Sequence, residues 1–265
     1  MQDLNITLVQ THLYWQNVGA NLAMLEEKLW QIAGPTDLII LPEMFNTGFS
    51  MEVEKLAEPM NLTTFKWMKQ MAAQTKAVIT GSFIVRENDQ YYNRLIWMQP
   101  DGNFKTYDKR HLFRMANEHD HFSPGKERLI VDLKGWKICP MVCYDLRFPV
   151  WSRNLSHQQP GNMDFDVLIY VANWPAPRVN AWDILLQARA VENLCYTIGV
   201  NRVAEDGNGI PYNGHSQVNT AKGETPCFLK EEETIQNFTL SYTELAKLRE
   251  KFPAYLDADS FTLED

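Results

Sequence analysis

Residues 137–147 read Lys137-Ile138-Cys139-Pro140-Met141-Val142-Cys143-Tyr144-Asp145-Leu146-Arg147. Ile138 to Val142 is an apolar run of the length that suits a buried strand. The character changes at Cys143. Tyr144, Asp145 and Arg147 are polar, and Pro149 limits where a following helix can begin. A thiol at the end of a buried strand, just before a turn, is held on a rigid support and still faces a pocket. Nucleophiles are often placed this way, as in the nucleophile elbow. The alternative is a small core residue, since free cysteine is among the most buried types.

The same pattern recurs at two other places in the chain. Asp37 to Leu41 is a short apolar strand followed at once by Pro42-Glu43, and Phe104 to Asp108 is a strand ending at Lys109-Arg110. Taken alone, Glu43 reads as a solvated loop carboxylate and Lys109 as an exposed basic turn. Together with Cys143 they are three reactive types at three strand ends, which one edge of a layered sheet can bring together.

The other segments supply the layers. Strands are expected at Asn5–Gln10, Ala77–Val85, Tyr91–Met98, Val167–Ala172, Cys195–Val200 and Thr234–Leu240. The turn between the second and third is placed at Arg86–Gln90. Hairpins are expected over Lys134-Gly135 (Leu129–Leu133 with Trp136–Val142) and over Lys222-Gly223 (within Gln217–Leu229). Helical spacing of apolar residues marks Asn21–Ile32, ended by Gly34-Pro35, and also Phe65–Thr75, Trp182–Asn193 and Tyr242–Phe252. Trp182–Asn193 reads as amphipathic through Ile184, Leu185, Ala188 and Val191. Val150–Asn154 suits a short helix, 156–164 a polar loop, Ala204–His215 a surface loop and 253–265 an acidic tail. Strands interleaved with helices and hairpins favour a mixed layered α/β protein, read as one domain over 1–265 with its core in about 1–240.

Composition narrows the partners. The chain has 265 residues and a formal net charge of -8, which argues against nucleic acid as a routine partner. No secretory signal or membrane-spanning run is visible, so a cytoplasmic enzyme is expected. No Gly-rich phosphate loop is present. The four cysteines, Cys139, Cys143, Cys195 and Cys227, do not make a disulfide scaffold. Cys139 and Cys143, four residues apart on a strand, lie about 13 Å apart and cannot pair. His111, His119 and His121 with Asp120 are a weak metal signal, because zinc sites need three or four converging ligands.

The chemistry of an acid, an amine and a thiol is complete for acyl transfer. A free thiol is only a few per cent thiolate at pH 7. A carboxylate can take its proton and return it to a leaving amine. An ammonium favours the thiolate and can hold a developing oxyanion, a contribution of about 3–4 kcal/mol per donor. The Tyr144 N–H is a second candidate donor.

Three motifs carry a resemblance. Leu41-Pro42-Glu43, Tyr107-Asp108-Lys109-Arg110-His111-Leu112-Phe113 and Val142-Cys143-Tyr144-Asp145-Leu146-Arg147-Phe148 together resemble the nitrilase superfamily of carbon–nitrogen hydrolases. The helix string Ala188-Arg189-Ala190-Val191-Glu192-Asn193 is similar too. Asp108 to Met115 and Val171 to Arg178 look closest to its bacterial omega-amidases. The resemblance implies a four-layer αββα sandwich, usually paired as a homodimer through the layer carrying the nucleophile. It implies Glu43 as general base, Lys109 as oxyanion lysine, Cys143 as nucleophile and Glu118 as a second glutamate, with no metal and no organic cofactor. It implies a small-molecule amide as substrate: 2-oxoglutaramate or 2-oxosuccinamate, cleaved to the oxoacid and ammonia. Such a substrate carries a carboxylate that suits a bidentate partner. Arg147 and then Arg178 are candidates, although Arg147 could instead pair with Asp145. Phe49 and Trp174 could wall the pocket or be plain core. Another amidase of the superfamily (N-carbamoyl or aliphatic), or a non-catalytic binding protein of the same fold, are the other readings.

Overall fold

Fourteen strands and six helices carry the described chain, which in this computed structural model comprises residues 1–155, 163–259 and 261–263. The strands are β1 (Leu4–Gln10), β2 (Leu38–Ile40), β3 (Val78–Glu87), β4 (Gln90–Met98), β5 (Phe104–Asp108), β6 (Val131–Leu133) and β7 (Trp136–Val142). They continue as β8 (Val167–Ala172), β9 (Tyr196–Asn201), β10 (Val203–Glu205), β11 (Pro211–Asn213), β12 (Gln217–Asn219), β13 (Cys227–Phe228) and β14 (Thr234–Leu240). The helices are α1 (Val18–Leu29), α2 (Val53–Leu56), α3 (Thr63–Thr75), α4 (Glu118–His121), α5 (Val179–Glu192) and α6 (Tyr242–Lys251).

Two six-stranded sheets pack face to face, in the orders β14-β1-β2-β3-β4-β5 and β13-β12-β9-β8-β7-β6. Side chains from both fill the space between them, including Ile6, Ile40 and Trp97 from the first and Ile138, Ile169 and Ile198 from the second. On the outer face of the first sheet, α1 and α3 bury Leu25, Met68 and Met71 against Ile39, Ile79 and Phe83. Each such side chain contributes about 1.5–3 kcal/mol by leaving water. On the second sheet, Trp182 and Leu186 of α5 come so close to β9 that a Cβ on Gly199 would lie 2.5 Å from each. The mixed, layered α/β architecture is the one the motifs imply.

Parallel pairing within each sheet aligns the strand ends. β1, β2 and β3 run parallel, β5 returns to the same direction through β4, and β7, β8 and β9 run parallel in the second sheet. Glu43, Lys109, Cys143, Asn173 and Arg202 therefore all follow carboxyl ends on one edge. Pro140 is tolerated inside β7 because β6 stops pairing at Ile138, so that side needs no donor farther along.

Several local expectations change. α1 starts three residues early, since the Asn17 side chain accepts from Ala20 N at 3.1 Å and caps it. It ends at Leu29, before Gly34-Pro35. The β3–β4 hairpin turns on Asn88 and Asp89 alone, both with positive φ (52° and 58°), as a two-residue turn requires. Residues 150–154 form a turn and no helix. The 204–215 loop holds the β10–β11 hairpin. On α5, Ile184 and Val191 face outward, while Trp182, Leu186, Arg189 and Ala190 are the buried residues. The polar loop at 156–164 falls mainly on 156–162, outside the described residues. Of the tail at 253–265, Tyr255 is buried against Met163 and Leu194, and positions 260, 264 and 265 lie outside the described residues.

Candidate active site

Cys143 begins a 3-10 turn (Cys143–Arg147) at the end of β7 and has φ of 44°. A left-handed conformation is unfavourable for a residue with a Cβ. It lifts the thiol out of the strand direction. The first N–H groups of the turn, Tyr144 among them, have no acceptor within it.

Asp145 ties the turn down. Its wholly buried carboxylate accepts from Val142 N (3.1 Å), Tyr107 Oη (2.7 Å), His111 N (3.0 Å) and His111 Nδ1 (2.8 Å). Tyr107 accepts in turn from Trp151 Nε1 at 3.0 Å. Burial, and then Asp145, push the Tyr107 hydroxyl well above its ordinary value, so it remains a donor. Arg189 of α5 donates to Leu146 O at 2.7 Å from the other side.

Lys109 and two glutamates meet beneath the cleft. Lys109 Nζ is 2.9 Å from Glu43 Oε1 and 2.9 Å from Glu118 Oε2, and all three side chains are wholly buried. Asn93 donates to Glu43 Oε1 (2.8 Å) and to Glu118 Oε1 (3.3 Å). Phe113 N donates to Glu118 Oε2 at 2.6 Å. Asn173 clamps Glu43 twice: its N–H donates to Oε2 (2.8 Å), and its side-chain amide donates to Glu43 O (2.6 Å).

Charge in this cluster is unevenly shared. Burial disfavours the Lys109 ammonium, but Glu118, Glu43 and Cys143 outweigh it and hold the amine above its usual range. Glu118 moves up instead of down. Burial raises it, and Glu43 adds to that, more than Lys109 and the Phe113 N–H can offset. One ammonium cannot fully satisfy two buried carboxylates.

The thiol is also pushed well up, by burial first and by Glu43 second, with Lys109 pulling only partly the other way. This differs from the expectation that the ammonium favours the thiolate. The neighbouring carboxylate and the dry surroundings win, so Cys143 rests as a thiol, with its Sγ 3.9 Å from Asn173 O.

A narrow cleft of about 530 Å³, counted out to its mouth, opens above Lys109, Cys143 and Asn173. Phe49, Tyr144, Arg147, Trp174 and Arg178 all line it, as do Phe113, Ile210 and Tyr212. Phe49 lies under the Lys109 ammonium, 5.2 Å from ring centre to Nζ. Arg147 does not pair with Asp145, whose oxygens are taken; its guanidinium lies 4.9 Å over the Trp174 ring. Arg178 lies 5.3 Å over Phe113. Glu43 and Glu118 sit behind Lys109, away from the lining.

Thus Glu43, Lys109, Cys143 and Glu118 converge, and the four expected binding residues share their cleft. His111, His119 and His121 do not converge. Among the described residues no group of three His, Cys, Asp or Glu side chains could hold a metal ion. All four cysteines are free and buried. Asn93, Asp145 and Asn173 are the members the sequence reading missed. Asn173 at a strand end, in Asn173-Trp174-Pro175, carried a usable signal; Asn93 inside β4 carried none.

Such a cluster can transfer a proton from sulfur to carboxylate and stabilise an oxyanion beside it. Comparisons with known proteins identify the family. The chain is 46% identical to omega-amidase YafV of Escherichia coli strain K12, covering 99% of this chain and 100% of that protein. It is 30% identical to 2-oxoglutaramate amidase of Bacillus subtilis, covering 95% and 96%. The crystal structure of XC1258 from Xanthomonas campestris, a CN-hydrolase superfamily protein with an arsenic adduct in its active site, superposes with a TM-score of 0.97, at 47% identity and full coverage of both chains. Nit3 of Saccharomyces cerevisiae, from branch 10 of the nitrilase superfamily, gives 0.84 at 25% identity, covering 95% of each. Residues 5–249 match the carbon–nitrogen hydrolase family, and this chain is a member of that family, within the nitrilase superfamily.

Proposed function

We propose that the protein is an omega-amidase that hydrolyses the terminal amide of 2-oxoglutaramate and 2-oxosuccinamate to the 2-oxo dicarboxylic acid and ammonia. The observation that carries this reading is the shared cleft. Two arginines, Arg147 and Arg178, with no ion-pair partner among the described residues, face the same space as the Cys143 thiol and the Lys109 ammonium. The two amidases named above support the substrate class.

In the proposed mechanism Cys143 sulfur attacks the amide carbon while its proton passes to Glu43. Because the resting thiol is neutral, proton transfer accompanies attack. Lys109 Nζ and the Tyr144 N–H hold the oxyanion. Glu43 then protonates the nitrogen, the C–N bond breaks and ammonia leaves a thioester. Glu43 takes a proton from water, which attacks the thioester, and returns the proton to sulfur as the acid departs. Glu118 holds Lys109 in place. Arg147 binds the substrate carboxylate bidentately, with Arg178 nearby and Phe49 and Trp174 as apolar walls. No step requires a metal or organic cofactor.

The protein is further proposed to be one cytoplasmic domain that works as a homodimer. Support for pairing comes from the exposed Ile184 and Val191 on α5. No described helix is long and apolar enough to cross a membrane.

A side-by-side assay of 2-oxoglutaramate, glutamine, an N-carbamoyl amino acid and a simple aliphatic amide tests the reading. Fastest turnover of 2-oxoglutaramate, abolished in Cys143→Ala, is expected. Retained activity in that variant overturns the nucleophile, and a different preferred amide overturns the substrate.

A further inference from the structure

The first residue after β9, Arg202, is wholly buried. Its Nε donates to Val203 O at 3.3 Å, and Nη2 donates to Leu13 O and Glu205 O at 3.3 and 3.2 Å. Nη1 has no hydrogen-bond partner among the described residues. All three acceptors are neutral carbonyls, and Arg202 forms no ion pair with a described carboxylate. A buried charge in such company is costly to keep.

The ring it rests on is part of the cleft. The Arg202 guanidinium carbon lies 4.7 Å from the centre of the Tyr212 ring, and Tyr212 lines the cleft together with Cys143. The Tyr212 hydroxyl donates to Asp206 Oδ2 at 3.0 Å. The other oxygen of Asp206 accepts from Asn208 N (2.8 Å) and Ile210 N (3.1 Å), and Ile210 is the neighbouring wall residue. Asp206 thus acts on Arg202 across the ring and not by contact. Lys109, Arg147 and Arg178 line the cleft, and Arg202 lies behind Tyr212. The acids are Glu43 and Glu118 behind Lys109, and Asp206 beneath Tyr212.

We infer that Arg202 is a charge-selecting positioning residue: its buried guanidinium, seated on the Tyr212 ring, biases the cleft toward ligands that carry a carboxylate, and Asp206 moderates that bias. This role rests on the amidase reading and deepens it, because it explains preference for an amide with an anionic far end. A field acting through an apolar wall needs no direct contact with the ligand, and low dielectric preserves it.

Alkylation of Cys143 tests the field without assuming any substrate. Iodoacetate and iodoacetamide attack the same sulfur and differ in charge, so the ratio of their rates cancels changes in thiol reactivity. The ratio is followed at Cys143 by peptide mass in the parent, Arg202→Met, Arg202→Lys and Asp206→Asn. The ratio is expected to fall about tenfold in Arg202→Met, which removes a unit charge that acts on the cleft through a low-dielectric wall. It is expected to stay within about threefold of the parent in Arg202→Lys, which keeps the charge, and to rise in Asp206→Asn. Structural damage would not reverse sign between Arg202→Met and Asp206→Asn. An unchanged ratio in Arg202→Met, or a fall in Asp206→Asn, overturns the inference. Should Arg202→Met not fold, the sign of the Asp206→Asn change decides. Michaelis constants for pentanamide and for 2-oxoglutaramate are then compared in the same variants. If the parent ignores 2-oxoglutaramate while the alkylation ratios shift as expected, the amidase reading fails and charge selection stands.

Discussion

Lys109 Nζ lies 2.9 Å from Glu43 Oε1 with neither side chain exposed to water. Glu118 sits at the same distance on the other carboxylate side of the amine. The ammonium is therefore both the oxyanion donor of the proposed mechanism and the group that makes two buried carboxylates tolerable.

Replacing Lys109 with Met separates those duties. Breaking a buried pair leaves uncompensated charge, a cost of about 3–5 kcal/mol. Urea unfolding of Lys109→Met at pH 8 is expected to show a loss of that order, smaller at pH 5, because Glu118, already held above its ordinary value by burial, can take up a proton. Turnover is expected to fall by at least about 10²–10³. Equal stability of variant and parent at pH 8 would refute the charge account.

Glu118→Gln should do the opposite to stability. Glu118 titrates above its ordinary 4.5 in the folded protein. The folded state then binds the proton more tightly than the unfolded chain, so its contribution is favourable below 4.5 and is lost as pH rises through the folded value. At pH 8 the parent carries the cost of ionising Glu118 and the amide variant does not. Melting temperatures should show the variant ahead at pH 8 and the gap closing toward pH 4.5. Activity should drop, because the amide holds Lys109 less firmly. A variant less stable than the parent at pH 8 would count against this balance.

Cys143 at φ 44° stores backbone strain that only glycine avoids. Cys143→Ala and Cys143→Gly are both expected to be inactive. Denaturant unfolding should place the Gly variant about 1 kcal/mol above the Ala variant, the reverse of the usual order. The usual order would mean that the turn relaxes.

The strands were the most legible elements. Phe104–Asp108, Val167–Ala172 and Thr234–Leu240 lie where the apolar pattern puts them, residue for residue. Val167–Ala172 is a short, wholly buried apolar run, and turn residues bracket the other two. Helix limits were less legible, because a cap such as Asn17 outweighs hydrophobic spacing at the end of a helix. The α5 faces were misread for a different reason. Trp182 and Arg189 are buried by the surfaces that β9 and the nucleophile turn present to them, and a helix read alone does not contain that information.

Which residue types end the strands is a property of the sequence alone, and with it the chemistry the chain can perform. Glu43, Lys109 and Cys143 are local facts, legible because each stands just past an expected strand. Their protonation states belong to the folded molecule. Burial keeps the thiol protonated and raises Glu118, and these are effects of lost water that no spacing encodes. Asn93, Asp145 and Asn173 entered the site in the same way. Hydrogen-bond partners that hold a charged cluster come from whichever strands the fold sets beside it.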